Sequence, residues 1–363
     1  MKNTIRLESL DALRGFDMFW IIGGDWIFGS LHDIFQSPAT EFIQTQLSHV
    51  RWEGFRFWDL IMPLFLFIVG TAMPFSFSKR LDGGDSKKKL HIHVLKRFVI
   101  LFILGMIAQG HLLEYDLSTL HIFSNTLQAI AAGYLIAALI MLNLRVKWQI
   151  MITPAMLLLF WGLLAWVPVS GFGTGVLTPE GNLAISIDKW ILGSFQDGTT
   201  YSWILSSLTF ACTVLLGVFS GYILRSDSPQ KKKLVRLFVF GILCLGFGLL
   251  WSLVFPIIKH IWTSSFVLFS GGISILLLAL FYLVIDIWGR KKWAFVFKVI
   301  GMNAIAVYMV TRIFDFRLMG NVFVGGLAER LGTWSNLVEG LGGFAVIWLI
   351  LYFVYTKKIF IKI

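Results

Sequence analysis

The feature that most limits how this chain can fold is a series of ten long apolar segments joined by shorter polar connections. They centre on residues 10–30, 56–77, 98–114, 123–142, 149–168, 203–224, 237–254, 265–287, 294–315 and 340–356. A helix needs about 20 apolar residues to cross a bilayer, and its backbone groups must be hydrogen-bonded within the segment. Only 14% of the residues are charged, too few for the surface of a soluble domain. The sequence therefore predicts one all-α domain over residues 1–363, a bundle of about ten transmembrane helices.

The distribution of basic residues predicts the orientation of the bundle, because Lys and Arg are retained on the cytoplasmic side. With the N-terminus inside, 23 of the 31 Lys and Arg fall in cytoplasmic segments and seven fall outside. Both chain ends are then cytoplasmic, and the long connections 32–55, 169–202 and 316–339 lie outside. Topology thus explains the net charge of +11, and nucleic acid is not an expected partner.

The first apolar segment carries charged residues within its length. Asp11, Arg14 and Asp17 follow one another at i, i+3 spacing, which places both carboxylates beside the guanidinium on one helix face. This group forms either a structural ion pair or an anion-binding site, and the two interpretations are compatible. Because the charges interrupt the segment and no small-residue cleavage site follows, we expect a retained helix rather than a signal peptide.

Candidate catalytic residues concentrate at the outer end of the first two segments. Asp25 follows the pair Gly23 and Gly24, His49 lies in the next connection, and Asp59 opens the second segment. A histidine near carboxylates can act as a general base whose tautomer is fixed by one of them. Spacing alone is weak evidence, since a single histidine in a loop is more often solvated.

Polar residues also occur in the later segments. Asn125 and Gln128 lie in the fourth, and Asn303 and Tyr308 in the ninth. Hydrogen bonding between helices is the simpler interpretation of these four residues. The two cysteines lie in apolar segments and no cluster of Cys and His is present, so neither a disulfide framework nor a metal is expected.

Several motifs resemble those of the heparan-alpha-glucosaminide N-acetyltransferase family of transmembrane acyltransferases. They are R-L-x-S-L-D-A-L-R-G-F-D-M at 6–18, H-x-x-W-x-G-x-x-x-x-D-L-x-x-P at 49–63, G-M-N-A-I-x-V-Y at 301–308 and the terminal K-K-I-F-I-K-I. Fainter matches lie at 127–128, 181–193 and 216–221. Their order along nearly the whole chain is more specific than any one motif.

The resemblance implies transfer of an acetyl group from cytoplasmic acetyl-coenzyme A to a sugar on the far side of the membrane. The active-site histidine of the family falls on His49, and we expect Asp25 or Asp59 to orient it. The family has an asparagine where this chain has Asp25, a departure that exchanges an amide donor for a carboxylate. Whether an acetyl-histidine intermediate forms is left open.

The expected donor site lies at the basic inner side. We expect coenzyme A to be bound by Arg14, supported by Lys96 and Arg97, with Gln128 and Asn303 as further candidates. No segment matches the extra lumenal domain of the family, so we expect a simpler, bacterial-type member in the inner membrane with its site facing the periplasm.

The remaining expectations concern the acceptor and the partners. The resemblance does not extend to heparan as the substrate. The acceptor is expected to be an amine or hydroxyl of a sugar or glycan. The lipid bilayer and coenzyme A are the other expected partners, and a homodimer is left open. A sugar transporter or permease is the alternative function, because ten helices with charges inside the membrane also suit a substrate pathway.

Overall fold

The computed structural model describes residues 7–110, 112, 114 and 116–360, and its regular structure is helical, with no β-strand among these residues. The α-helices are α1 (Glu8–Phe19), α2 (Asp25–Gly29), α3 (Leu31–Phe35), α4 (Pro38–Gln46), α5 (Ile61–Asp82), α6 (Lys87–Gln109), α7 (Thr126–Asn143), α8 (Val146–Trp166), α9 (Leu183–Leu192), α10 (Ser207–Arg225), α11 (Gln230–Ser252), α12 (Ser264–Phe281), α13 (Phe295–Gly301), α14 (Ala304–Ile313), α15 (Phe316–Ala328) and α16 (Ser335–Thr356). Lys2, Arg6 and the last three residues, which contributed to the predicted orientation and motifs, lie outside the described residues.

The predicted membrane helix bundle is confirmed. Two of the ten predicted segments, the first and the ninth, are broken helices rather than continuous ones. Within the described residues, eight helices are long and apolar enough to cross a membrane, and the pair α13 and α14 makes a ninth, bent by 76°. The first segment is broken into α1, a π-helical turn at Trp20–Gly24 and α2. Gly23 adopts φ 152° in this turn, a conformation that suits glycine.

The centre of the bundle is formed by α5 and α10, whose apolar spans are each 72% buried, whereas those of α6, α11 and α16 are only 22% buried. Small residues bring the two central helices into backbone contact. A Cβ atom added at Gly70 would stand 1.9 Å from the carbonyl oxygen of Val214. The peripheral helices therefore carry the apolar surface that faces lipid.

The first motif of the chain packs against the motif at 301–308 through α1 and α13. A Cβ atom at Gly301 would stand 2.1 Å from the carbonyl oxygen of Asp11, so only glycine permits this approach. At the start of α1, Glu8 accepts from Lys291 at 2.9 Å and from Lys298 at 3.0 Å. Two motifs almost 300 residues apart are thus part of one packed unit.

Among the described residues, only one of the two ion pairs predicted in α1 forms, the pair of Arg14 with Asp11. Arg14 lies 3.4 Å from Asp11, but neither carboxylate oxygen of the fully buried Asp17 has a hydrogen-bond partner in the described part of the chain. Side chains on a helix lean toward its N-terminus, so the long side chain of Arg14 reaches back to Asp11 rather than forward to Asp17. Pairing of Arg14 with Asp17 is a wrong prediction.

Candidate functional site

A cavity of about 1000 Å³ opens at the end of the bundle where α5 begins, and we call it the His49 cavity. The polar side chains that line it include His49, Asn125, Tyr201, Lys259, Tyr308 and Arg312. They come from α14, from Asn125 at the N-terminal cap of α7, and from three connections that the sequence predicts to lie outside. A concave space of this volume with a few converging polar groups has the form of a small-molecule site.

Asp59 organises the connection that carries His49. This residue lies in the short 3-10 helix Phe57–Leu60, and one of its oxygens, Oδ2, accepts backbone N–H groups from Arg56 at 3.1 Å and Val50 at 3.3 Å. The guanidinium of Arg56 donates in turn to the carbonyl oxygen of His49 at 3.1 Å. The loop between His49 and Asp59 therefore folds around the buried carboxylate of Asp59, and this fold brings together two residues ten positions apart.

The other oxygen of Asp59 holds the imidazole ring of His49. The distance from His49 Nδ1 to Asp59 Oδ1 is 2.8 Å, and the two side chains are 46% and 2% exposed, respectively. An ionised carboxylate only accepts hydrogen bonds, so Nδ1 carries the proton in this pair. The lone pair of His49 then lies on Nε2, on the ring edge opposite the carboxylate. This arrangement suits a general base or a nucleophile.

Lys259 is the third member of this group, and sequence reasoning missed it. Its Nζ lies 3.3 Å from Asp59 Oδ1 and 3.1 Å from His49 Nδ1, and its side chain is 7% exposed. Burial lowers the pKa of Lys259 to about 8, against the opposing effect of the Asp59 charge. Lys259 lies 210 residues from His49 in the connection between α11 and α12, where no motif marks it.

The tryptophan and glycine of the H-x-x-W-x-G motif attach the His49 loop to its neighbours. Trp52 donates from Nε1 to the carbonyl oxygen of Leu177 at 2.7 Å, and its ring packs on His260 with centroids 5.3 Å apart. Gly54, with φ 116°, donates to the carbonyl oxygen of Ile257 at 2.8 Å. The motif therefore fixes the His49 loop beside the connection that carries Lys259.

A second cavity of about 1330 Å³ lies toward the other end of α5, and we call it the Arg14 cavity. Among the described residues, five acidic side chains line it. The basic side chains that line it, in the same described set, are Arg14, Lys79, Arg97, Arg225, Lys233 and Lys291. In α5, Met62 lines the His49 cavity and Lys79 lines the Arg14 cavity. These two residues are 17 positions apart, which corresponds to roughly 26 Å along the helix. The two cavities therefore open toward opposite ends of the bundle.

Four apolar side chains of the described residues line both cavities, namely Phe65, Leu127, Ile130 and Ile305. We call this group the neck. It is formed by α5, α7 and α14, and three of its members are less than 7% exposed. Within the described part of the chain, the two cavities thus approach each other at these apolar side chains inside the bundle.

The predicted donor-site residues separate into two groups. Arg14 and Arg97 line the Arg14 cavity, and the guanidinium of Arg97 lies over the ring of Tyr134 at 4.6 Å. Lys96 is on the exposed surface of α6 and is not among the residues that line this cavity.

The two predicted amides make internal hydrogen bonds at their places in the bundle. Gln128 is fully buried, accepting from the backbone N–H of Ser124 at 2.9 Å and from Gln109 at 3.1 Å. Asn303 lies at the bend between α13 and α14 and donates to the carbonyl oxygen of Ile359 at 3.2 Å. These contacts fit the simpler interpretation of both amides, and binding of coenzyme A by either residue stays a prediction.

Asp25 lies at the start of α2, beyond the π-helical turn. Among the described residues, Asp25 neither lines the His49 cavity nor bonds to His49. Its Oδ1 atom is buried, with no hydrogen-bond partner among the described residues. Its neighbour Trp26 faces the cavity instead. A catalytic role for Asp25 stays a prediction, whereas Asp59 is the carboxylate that holds His49.

Comparison with known proteins identifies relatives along nearly the whole chain. The chain is 26% identical to heparan-alpha-glucosaminide N-acetyltransferase from Mus musculus and 24% identical to the protein of that name from Homo sapiens, in both cases over 99% of its length. The chain covers 60% of the length of either relative. A family described as "Domain of unknown function (DUF5009)" matches residues 6–179.

Proposed function

We propose, starting from the relationship to heparan-alpha-glucosaminide N-acetyltransferases along 99% of the chain, that this protein is a membrane-embedded acetyltransferase. The donor is acetyl-coenzyme A, bound with its phosphates in the Arg14 cavity. The acceptor is an amine or hydroxyl of a sugar in the His49 cavity. The His49 side faces away from the cytoplasm, in agreement with the distribution of basic residues along the sequence.

The observation that carries this proposal is the pair of cavities that meet at the neck. Among the described residues, one is lined by six basic side chains, which suit the phosphates of coenzyme A, together with five acidic ones, and the other contains a histidine held by a buried carboxylate. An extended pantetheine arm through the neck joins the two, so that the thioester reaches Nε2 of His49. The hydrocarbon core is about 30 Å thick, and cavities at both ends shorten the apolar distance that the arm must cross.

In the proposed reaction, His49 Nε2 accepts the proton of the acceptor while the acceptor nitrogen or oxygen attacks the thioester carbonyl. A bond from the acceptor to the acetyl carbon forms, and the bond from that carbon to sulfur breaks. The proton on Nε2 then passes to the leaving thiolate, which yields free coenzyme A and neutral His49. Asp59 stabilises the transient imidazolium through the hydrogen bond from Nδ1.

A two-step path through acetyl-His49 uses the same nitrogen as nucleophile and also balances. Nε2 attacks the thioester, and coenzyme A leaves as the thiolate, which takes up a proton from solvent. The acceptor then attacks the acetyl carbon, the bond from that carbon to Nε2 breaks, and the proton of the acceptor is released to solvent. Initial-rate kinetics separate the two paths, because the covalent path gives ping-pong patterns and direct transfer gives a ternary-complex pattern.

The alternative function, a sugar permease, is supported by the same two facing cavities, because a substrate pathway also needs openings at both ends. Ligand-dependent thermal stability of the purified protein in detergent separates the two functions. Stabilisation by coenzyme A is expected for the acetyltransferase, since a ligand that binds the folded state raises its stability by mass action. Stabilisation by free sugar alone would favour the permease.

Replacement of Arg14 by alanine is expected to weaken coenzyme A binding by roughly 10- to 100-fold, the effect of one lost charge-assisted hydrogen bond. The dissociation constant of coenzyme A, measured by calorimetry on purified protein, provides the test. Lys96→Ala is the matched control, because Lys96 is exposed beside the same basic region without lining the cavity. A lower melting temperature with unchanged affinity would show that Arg14 serves only as a structural partner of Asp11.

A further inference from the structure

We propose that Lys259 is a positioning residue of the His49 site. Its ammonium group supplies the counter-charge of Asp59, which keeps His49 a neutral base with its lone pair on Nε2. The kinetic test of this inference rests on the proposed function. A spectroscopic test of the same variants is independent of enzymatic activity.

The burial of Lys259 is imposed by a tightly bonded connection. Ile258 and Thr263 exchange hydrogen bonds at 3.1 and 3.2 Å across the turn that contains Lys259. Trp262 adopts φ 52°, and its Nε1 donates to Thr213 of α10 at 3.0 Å. Burying an ammonium group is costly unless it is paired, so a fixed loop that holds one beside a carboxylate indicates a use for the charge.

The hydrogen bonds of Asp59 show what that use is. Oδ2 accepts from two backbone N–H groups, which are neutral, whereas Oδ1 accepts from His49 and from Lys259. If Lys259 carried no charge, the buried carboxylate would favour protonation of its other partner, the imidazole. The imidazolium form of His49, which cannot accept the proton of the acceptor, would then be favoured.

The other charged and titratable groups around this pair do not supply the charge. The guanidinium of Arg56 donates to the carbonyl oxygen of His49, and Arg56 bonds to Asp59 through its backbone N–H. His260, next to Lys259, has its pKa lowered to about 4 by burial, and it stacks on Tyr201 with ring centroids 4.2 Å apart. Burial raises the pKa of Tyr201 to about 12. Both are therefore neutral near pH 7. Asp197, which also lines the cavity, accepts hydrogen bonds from Thr199 and from the indole N–H of a tryptophan and offers no positive charge.

Lys259→Met is expected to move the acidic limb of the kcat/KM profile to higher pH by about one unit or more, the usual effect of a neighbouring charge within 4–6 Å. The sign follows from the charge, because removing a cation beside His49 favours imidazolium, which then persists to higher pH. Lys259→Arg keeps the cation and should restore the position of the limb. Lys189→Met, which changes an exposed lysine at the end of α9, should leave the profile unchanged.

Two measurements decide the inference. The first is kcat/KM against pH from 5 to 9 with acetyl-coenzyme A and glucosamine. A loss of activity that is equal at every pH, or a profile identical to that of the wild type, would overturn the positioning role.

The second measurement is ¹⁵N NMR of the protein with labelled histidine, with His49→Gln used to assign the signal. We expect a ring protonated at Nδ1 alone to predominate at pH 7 in the wild type and in Lys259→Arg, and a larger imidazolium fraction in Lys259→Met. The same ring state in all three proteins would overturn the inference. If no donor is used by the wild type, the proposed function fails, and the NMR result still decides the role of Lys259.

Discussion

Replacing His49 by alanine is expected to lower acetyl transfer by about 10²- to 10⁴-fold, the usual contribution of a positioned general base, while the fold and coenzyme A binding persist. The imidazole is 46% exposed to its cavity, its described side-chain hydrogen bond runs to Asp59, and the ammonium group of Lys259 lies beside it. Its loss therefore leaves no new cavity in the packed core. If His49 is instead an acyl carrier, the loss is at least as large, because the covalent intermediate cannot form.

The matched control for this variant is His32→Ala. His32 lies in α3 at the same end of the bundle and bonds to Thr40, but it does not line the His49 cavity in the described part of the chain. Initial rates with acetyl-coenzyme A and an amino sugar should be normal for this control. Normal rates for a folded His49→Ala protein would remove His49 from the mechanism.

Narrowing the neck with Ile305→Trp is expected to reduce transfer by at least about a hundredfold, because displacing a reacting group by about 1 Å already costs about 10²-fold. Ile305 lies in α14 and lines both cavities, so an indole at this position would obstruct the path of the pantetheine arm. The basic side chains of the Arg14 cavity are untouched. Coenzyme A should therefore still bind, with little change in affinity.

Ile305→Leu is the control for the neck variant, because it conserves volume and should keep most of the activity. Melting temperature and coenzyme A affinity are measured on both variants to separate obstruction from misfolding. A folded Ile305→Trp protein with the wild-type rate would show that the donor does not reach His49 through the neck.

The sequence was sufficient to predict the class of fold, because ten apolar segments of membrane length leave few alternatives. It did not predict the break in the first segment or the 76° bend between α13 and α14. Both the break and the bend depend on how other helices pack against small or polar residues at these positions. The same limit applies to Asp17, whose burial without a partner follows from the side of α1 that packs inward.

Within the site, local spacing was informative and long-range placement was not. His49 and Asp59 are ten residues apart, so one loop brings them together, and this pair could be expected from the sequence. Lys259 comes from a connection 200 residues from Asp59, and one lysine among many basic residues carries no signal. Gln128 and Asn303 were ambiguous because a buried amide can bond to its own backbone or to a ligand.

The most direct test is vectorial acetylation in sealed proteoliposomes of determined orientation, with radiolabelled acetyl-coenzyme A on one side and glucosamine on the other. We expect labelled acetylglucosamine in the compartment that faces the His49 cavity only when the donor is supplied on the side of the Arg14 cavity. His49→Ala should abolish this product. Product formed only when donor and acceptor share a compartment, or transport of unmodified glucosamine without acetylation, would contradict acetyl transfer across the membrane.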